Sequence, residues 1–181
     1  MIFKELPLSG AYILDIEKNS DGRGFFARTW CRNEFKQNNL NTDLAQFSIS
    51  FNIHTGTLRG MHFQVSPNEE TKIVQCITGS IHDVIIDLRK NSNTFMKSYG
   101  IELTAQNKTM LYIPKGFAHG FITLEDNTEV FYHISDFYAP QSARGFRWND
   151  PTFELNWPIK PTVMSEKDKN YPDFNQRLLL S

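Results

Sequence analysis

Cysteine is nearly missing from this chain. Cys31 and Cys76 are the only two in 181 residues. That is too few for a disulfide framework, and the two fall in segments of different type, so both read as reduced thiols of a cytoplasmic protein. Excess charge of one sign is missing as well. Nineteen Lys and Arg stand against twenty Asp and Glu, a formal net charge of −1. A nucleic-acid or membrane-surface protein would normally carry a basic face, so neither partner is expected. A small anionic ligand held by a few local Arg and Lys stays compatible with that balance. Long hydrophobic runs are also lacking: none approaches the ~18 apolar residues of a spanning helix. Asp15 and Glu17 break the N-terminal segment before a leader-type apolar run can form. No repeat and no low-complexity tract appears. What remains is a chain of single-domain size, 1–181, able to bury a core. Aromatic content is 13%, with 15 Phe, which suits a barrel lined by rings.

Strand signals dominate. Ala11–Glu17, Gly24–Thr29, Leu44–Asn52, Lys72–Thr78, Ile81–Arg89, Tyr99–Leu103, Met110–Ile113, Gly120–Thr123 and Glu129–Ser135 are short β-branched or aromatic runs. Turn chemistry separates them, as at Asn19-Ser20-Asp21-Gly22 and Asn91-Ser92-Asn93. Val84, Ile85 and Ile86 run together, as in a strand covered on both faces. Only Cys31–Asn38 reads as helical. Many short strands with regular turns predict a mainly β protein, a jelly roll or related barrel with short peripheral helices. From about Trp148 the texture changes. Pro151, Pro158 and Pro161 cannot continue a central strand, so 151–181 reads as an extended C-terminal tail packed on the barrel, ending in one or two helical turns.

The chemistry concentrates in two motifs. Thr57–Gln64 reads T-L-R-G-M-H-F-Q, and Pro114–Gly120 reads P-K-G-F-A-H-G. The pair is similar to the two-part pattern of cupin-type β-barrels. Metal-binding versions carry a second His where this chain has Gln64, so a pocket is expected and a metal is not. His62, His119 and Glu70 would be the only donors left, off pattern in type and spacing. A lone His is most often a satisfied core or interface residue. The cluster of Arg59, His62, Gln64 and Lys72 weighs against that, because polar and cationic groups inside a barrel need a ligand or each other. Arg59 and His62 are three apart and would face opposite sides of a regular strand; a bulge at Gly60 would aim both inward. Tyr132 and Tyr138 fit an aromatic core, or a proton donor and a stacking ring. Asp83 or Asp87 could orient a His. By spacing alone, Ser165 N-caps a last helical turn and Asp168 closes a capping box. Arg23 sits in a loop, where a surface arginine is the ordinary reading.

Taken together the motifs resemble the dTDP-4-dehydrorhamnose 3,5-epimerase family of sugar-nucleotide epimerases. The matching pieces run from Asp21-Gly22-Arg23-Gly24-Phe25-Phe26, through Leu58–Gln64, Lys72-Ile73-Val74, Asp83–Arg89, Ile113–Phe121 and Trp148-Asn149-Asp150, to Ser165-Glu166-Lys167-Asp168. The resemblance implies a metal-free, cofactor-independent, cupin-like jelly-roll barrel, usually a homodimer, with its active site inside. It implies a nucleoside-diphosphate 4-keto-6-deoxyhexose as substrate. It further implies His62 as catalytic base with Asp168 as its dyad partner, Tyr132 as proton donor, and Lys72 as the cation near a developing enolate. Arg23, Gln46, Arg59 and His119 correspond to substrate-contacting positions, and Tyr138 to a ring that stacks on the nucleotide base.

Three departures concern substrate holding. Ala27-Arg28 and Ala143-Arg144 stand where rhamnose-pathway members often carry an acid, and the Gln46–Asn52 segment differs from the family's pattern. Four other readings are carried forward: an epimerase acting at one carbon of another nucleotide deoxysugar, a ketoisomerase of the same barrel class, a metal-dependent cupin dioxygenase, and a non-catalytic sugar-binding module.

Overall fold

The computed structural model describes residues 1–180. In chain order the first strands are β1 (Ile2–Glu5), β2 (Tyr12–Asp15), β3 (Asn19–Asp21), β4 (Gly24–Phe26), β5 (Gln46–Asn52) and β6 (Leu58–Gln64). They continue as β7 (Lys72–Thr78), β8 (Ser80–Asp87), β9 (Ser98–Thr104), β10 (Met110–Ile113), β11 (Phe117–Thr123), β12 (Thr128–Ile134) and β13 (Ala143–Gly145). Two short helices, α1 (Arg32–Gln37) and α2 (Glu166–Lys169), and a 3-10 turn at Gln176–Leu179 flank them.

Two antiparallel sheets form the jelly roll. One runs β1-β2-β10-β7-β12-β5, the other β13-β6-β11-β8-β9; β3 and β4 make a separate hairpin. The period-two alternation of strands decides what lies between the sheets. Val74, Cys76 and Val130 from the first meet Ile81, Ile85, Leu103 and Phe121 from the second. Val84 and Ile86 point the other way, into a layer with Met61, Phe63 and Phe146, where Phe153, Trp157 and Phe174 of the tail cover them. The Val84-Ile85-Ile86 run is therefore apolar because both of its faces are buried. On the far side, α1 buries Phe35 against Leu14, Ile73, Met110 and Tyr112. Farther along that outer face, Phe47, Ile49 and Phe51 of β5 stay exposed.

β7 and β10 fall where the sequence predicts them, and β2, β5, β8, β9 and β12 differ by a residue or two at their ends. β11 starts at Phe117 rather than Gly120, because Phe117 and Ala118 already pair with Asp87 and Ile86. The Gly24–Thr29 run shortens to β4, which closes a small hairpin with β3. β1, I-F-K-E, shows neither alternation nor a continuous apolar run, and β13 has three residues; pairing with β2 and β6 makes them strands.

β6 contains the bulge that its sequence suggests. His62 pairs with His119 and Arg59 with Phe121, so Gly60 and Met61 stand opposite Gly120 alone. Gly60 holds φ 132°. A Cβ there would lie 2.5 Å from Gly120 Cα, so close backbone approach as well as φ requires glycine.

Candidate active site

Between the sheets lies a cavity of about 730 Å³, within the usual range for a small-molecule site. β6 and β11 supply one wall, β5 and β12 the other, and the tail around Asp168 an edge. The bulge in β6 brings Arg59 and His62 to this one cavity despite their odd spacing.

His62 Nε2 lies 2.7 Å from Asp168 Oδ1. The imidazole is 41% exposed and the carboxylate 6%, so one partner faces the cavity and the other anchors it. Burial pushes the Asp168 carboxyl up. The His62 ring, the Gly60 backbone and the Ser165 hydroxyl outweigh burial and hold it below the usual carboxylate range. Ser165 does cap α2, with its Oγ accepting from Asp168 N at 3.0 Å. The other half of the expected capping box does not form as read from spacing, because the Asp168 carboxylate goes to His62 instead. With Nε2 committed to Asp168, Nδ1 is the ring nitrogen left for a ligand.

His119 is the register partner of His62. Its Nε2 lies 2.9 Å from Asp83 Oδ2, so Asp83 is the acid that orients a His. Asp83 Oδ1 is buried with no hydrogen-bond partner among the described residues. Tyr132 reaches in from the opposite sheet, its ring 6.0 Å from that of His119. Burial, then the Asp83 charge, raises the Tyr132 hydroxyl pKa well above its ordinary value, with Arg59 opposing them. The phenol therefore keeps its proton and is a donor. Lys72 lines the same cavity and pairs with Glu70 at 2.8 Å.

Gln46, Ser48 and Ser50 project from β5, and Tyr138 stands at the mouth, 61% exposed. Arg59 is tied by Nε to Asn52 Oδ1 at 2.7 Å. Gln64 is used structurally. Its Oε1 accepts from Ala139 N at 2.7 Å, and its Nε2 donates to Asn68 O at 2.8 Å and Phe137 O at 3.2 Å. The position that holds a second His in metal cupins thus pins the loop bearing Tyr138. Among the described residues, no group of three His, Cys, Asp or Glu is placed to hold a metal ion.

Arg23 is the one expected site residue that this chain does not bring to the cavity. It sits on the exposed β3–β4 hairpin, where it bonds Asp21 at 2.6 Å and its side chain is 91% exposed. The hairpin pairs only with itself, so nothing folds it inward. Tyr171 also lines the cavity wall and escapes sequence reasoning, because a single Tyr in a polar tail carries no local signal. Arg144, from a segment whose departure concerns substrate holding, and Lys167, from the Ser165–Asp168 motif, line it too.

The cavity, with an imidazole–carboxylate pair on one wall and a phenol on the other, is that of a cupin-like jelly roll, and the chain's likeness to known proteins makes it an epimerase, an enzyme of the isomerase class. The chain belongs to the dTDP-4-dehydrorhamnose 3,5-epimerase family, whose model matches residues 5–176. It is 36% identical over 175 residues to a dTDP-4-dehydrorhamnose 3,5-epimerase of Sinorhizobium fredii, covering 96% of this chain and 90% of that one. The crystal structure of the enzyme of that name from Elizabethkingia anophelis superposes with a TM-score of 0.93 at 37% identity, over 96% of both chains. A dTDP-6-deoxy-D-glucose-3,5-epimerase from Legionella pneumophila, in complex with dTDP-4-keto-L-rhamnose, superposes with a TM-score of 0.88 at 31% identity, over 95% of this chain and 92% of that one.

Proposed function

We propose that the enzyme inverts C3 and C5 of a dTDP-linked 4-keto-6-deoxyhexose by removing and returning protons, with no cofactor. The observation that carries the reading is the placement of His62–Asp168 and Tyr132 on facing sheets of one cavity. Inversion requires a proton to leave one face of the sugar and return to the other. Two sheets that present a base and an acid to opposite sides of a bound ring supply that geometry.

The C4 ketone acidifies the hydrogens on C3 and C5. His62 Nδ1 takes one of them, and Asp168 stabilises the resulting imidazolium. The electron pair moves to O4 as an enolate, where the Lys72 ammonium offsets the charge. Tyr132 returns a proton to the carbon from the other side, and O4 becomes a ketone again. His119, oriented by Asp83, and Arg59 hold the substrate, while Gln46 and Tyr138 meet the nucleotide. A guanidinium suits the diphosphate.

The same reading makes the active form a homodimer. Phe47, Ile49 and Phe51 lie in a row on β5 at 58%, 59% and 51% exposure, an apolar face that a second copy would cover. Arg23, outside its own cavity, then serves a substrate only in a neighbouring subunit. Cys31 and Cys76 are unpaired, and no described helix is long and apolar enough to cross a membrane. Both features suit the cytoplasm as the place of reaction.

The test is incubation with dTDP-4-keto-6-deoxyglucose in heavy water, followed by NMR. Deuterium is expected at both C3 and C5. Uptake at one carbon would redefine the enzyme as a single-centre epimerase, and no uptake by folded protein would overturn the reading.

A further inference from the structure

The neighbour of His62 on the tail has no part in the steps above. Gly145 pairs in register with His62. A Cβ on Gly145 would lie 2.4 Å from Tyr171 Cζ and 2.6 Å from its Cε2. The missing Cβ leaves a notch beside the base, and the Tyr171 ring occupies it. That ring meets the His62 imidazole edge to face, with centroids 5.9 Å apart and planes at 63°. Asp168 holds Nε2 of the same imidazole at 2.7 Å, so His62 is held from two sides.

Tyr171 is itself held. The Lys167 ammonium lies 5.8 Å from its ring centroid, and hydrogen bonding to Tyr171 raises the Lys167 pKa. The next carbonyl, of Pro172, accepts from Arg147 N at 3.0 Å. The ring is half-buried and lines the cavity. The titratable groups against His62 are Asp168 of α2, His119 of β11 and Tyr171 of the tail, with Lys167 of α2 on the Tyr171 ring; its register partner on β13 is Gly145, which contributes none.

We propose that Tyr171, seated in the Gly145 notch, is a positioning residue that fixes the plane of the His62 imidazole on Asp168 and walls the cavity beside it, so that it sets which sugar carbon meets Nδ1. The inference rests on the epimerase reading of the same cavity. A smaller side chain frees the ring to swing about its bond to Asp168 and widens the cavity next to the base. The two carbons flanking the ketone then compete differently for one nitrogen.

The experiment compares Tyr171→Ala and Tyr171→Phe with the unaltered enzyme. One readout is the early ratio of deuterium at C3 to that at C5 of dTDP-4-keto-6-deoxyglucose in heavy water. A second needs no substrate: the His62 ring signals in NMR spectra of protein with labelled histidine. Tyr171→Ala is expected to change the C3:C5 ratio by about fivefold or more, to lower kcat more than it raises KM, and to shift or broaden the His62 signals. Tyr171→Phe, which keeps the ring, is expected to rescue all three. An unchanged ratio with unchanged His62 signals in folded Tyr171→Ala would overturn the proposal, as would a Phe variant as damaged as the Ala variant. If the unaltered enzyme incorporates no deuterium, the epimerase reading fails. The positioning role then stands or falls on whether the His62 signals respond to Ala and not to Phe.

Discussion

Replacing Asp168 with asparagine removes one negative charge and changes little else. The backbone N–H that Ser165 caps at 3.0 Å is retained, so α2 keeps its start. Asparagine can also still accept from His62 through its Oδ1. What is lost is the charge assistance of a 2.7 Å bond whose carboxylate is only 6% exposed. A hydrogen bond to a charged group is worth about 1.5–3 kcal/mol, roughly twice a neutral one. Solvent screens this pair little on the Asp168 side. His62 becomes cationic only as it takes the proton, so the loss falls on the transition state and not on substrate binding. Half of that bond energy is lost, so Asp168→Asn should lower kcat by about 3- to 13-fold with KM nearly unchanged. Steady-state kinetics on the keto sugar measure it, with far-UV circular dichroism to verify folding. A folded Asp168→Asn variant with kcat within about twofold of the parent would refute the reasoning and leave Asp168 as a helix-terminus residue.

Tyr132→Phe should lower epimer formation by about 10²–10⁴-fold while leaving solvent exchange at the first carbon less affected; equal loss of both would reduce Tyr132 to a wall of the cavity. Asp87 tests the sign of a buried charge far from the chemistry. Burial pushes its carboxyl up, but bonds from Arg89, Ser92 and Thr94 outweigh burial and lower it from 3.8 to about 2. A depressed folded value stabilises the protein above the unfolded value and stops doing so as pH falls through the window from 3.8 to about 2. Asp87→Asn should thus cost about 2 kcal/mol at pH 7 and progressively less in acid, as read from urea melts; the same loss near pH 2 as at pH 7 would contradict the linkage. Ile49→Asp puts a charge in the middle of the bare β5 face. Ultracentrifugation should show half the parent mass with unchanged circular dichroism, and kcat/KM should fall because Arg23 leaves with the partner; an unchanged mass would move the subunit contact elsewhere.

Local pattern carried most of the architecture. β7 and β10 were legible to the residue because a strand buried on one or both faces must be apolar in a period its own residues display. The Val84-Ile85-Ile86 run announced its double cover for the same reason. The Gly60 bulge was legible from spacing: Arg59 and His62 cannot share a face of a regular strand. The motifs around His62 and His119 pointed to the cavity, and likeness to a known family named its residues.

Pairings across the fold were not legible, because no local period records which distant side chain closes a contact. From its own spacing Asp168 reads as half of a capping box, and only likeness to a family pairs it with His62; the tail lying against β6 is what puts its carboxylate on a ring 106 residues away. Gln64 looks like a lost ligand until its amide is found bonded around the Tyr138 loop. β1 and β13 exist only through their partners, Tyr171 acquires a place only because Gly145 lacks a Cβ, and Arg23 lies outside the cavity because its hairpin pairs only with itself. The sequence by itself determined the strands, their buried faces and the chemical types available to the site. The closure of two sheets and a tail around one cavity decided which of those groups meet, since that depends on contacts between segments that no stretch of sequence contains.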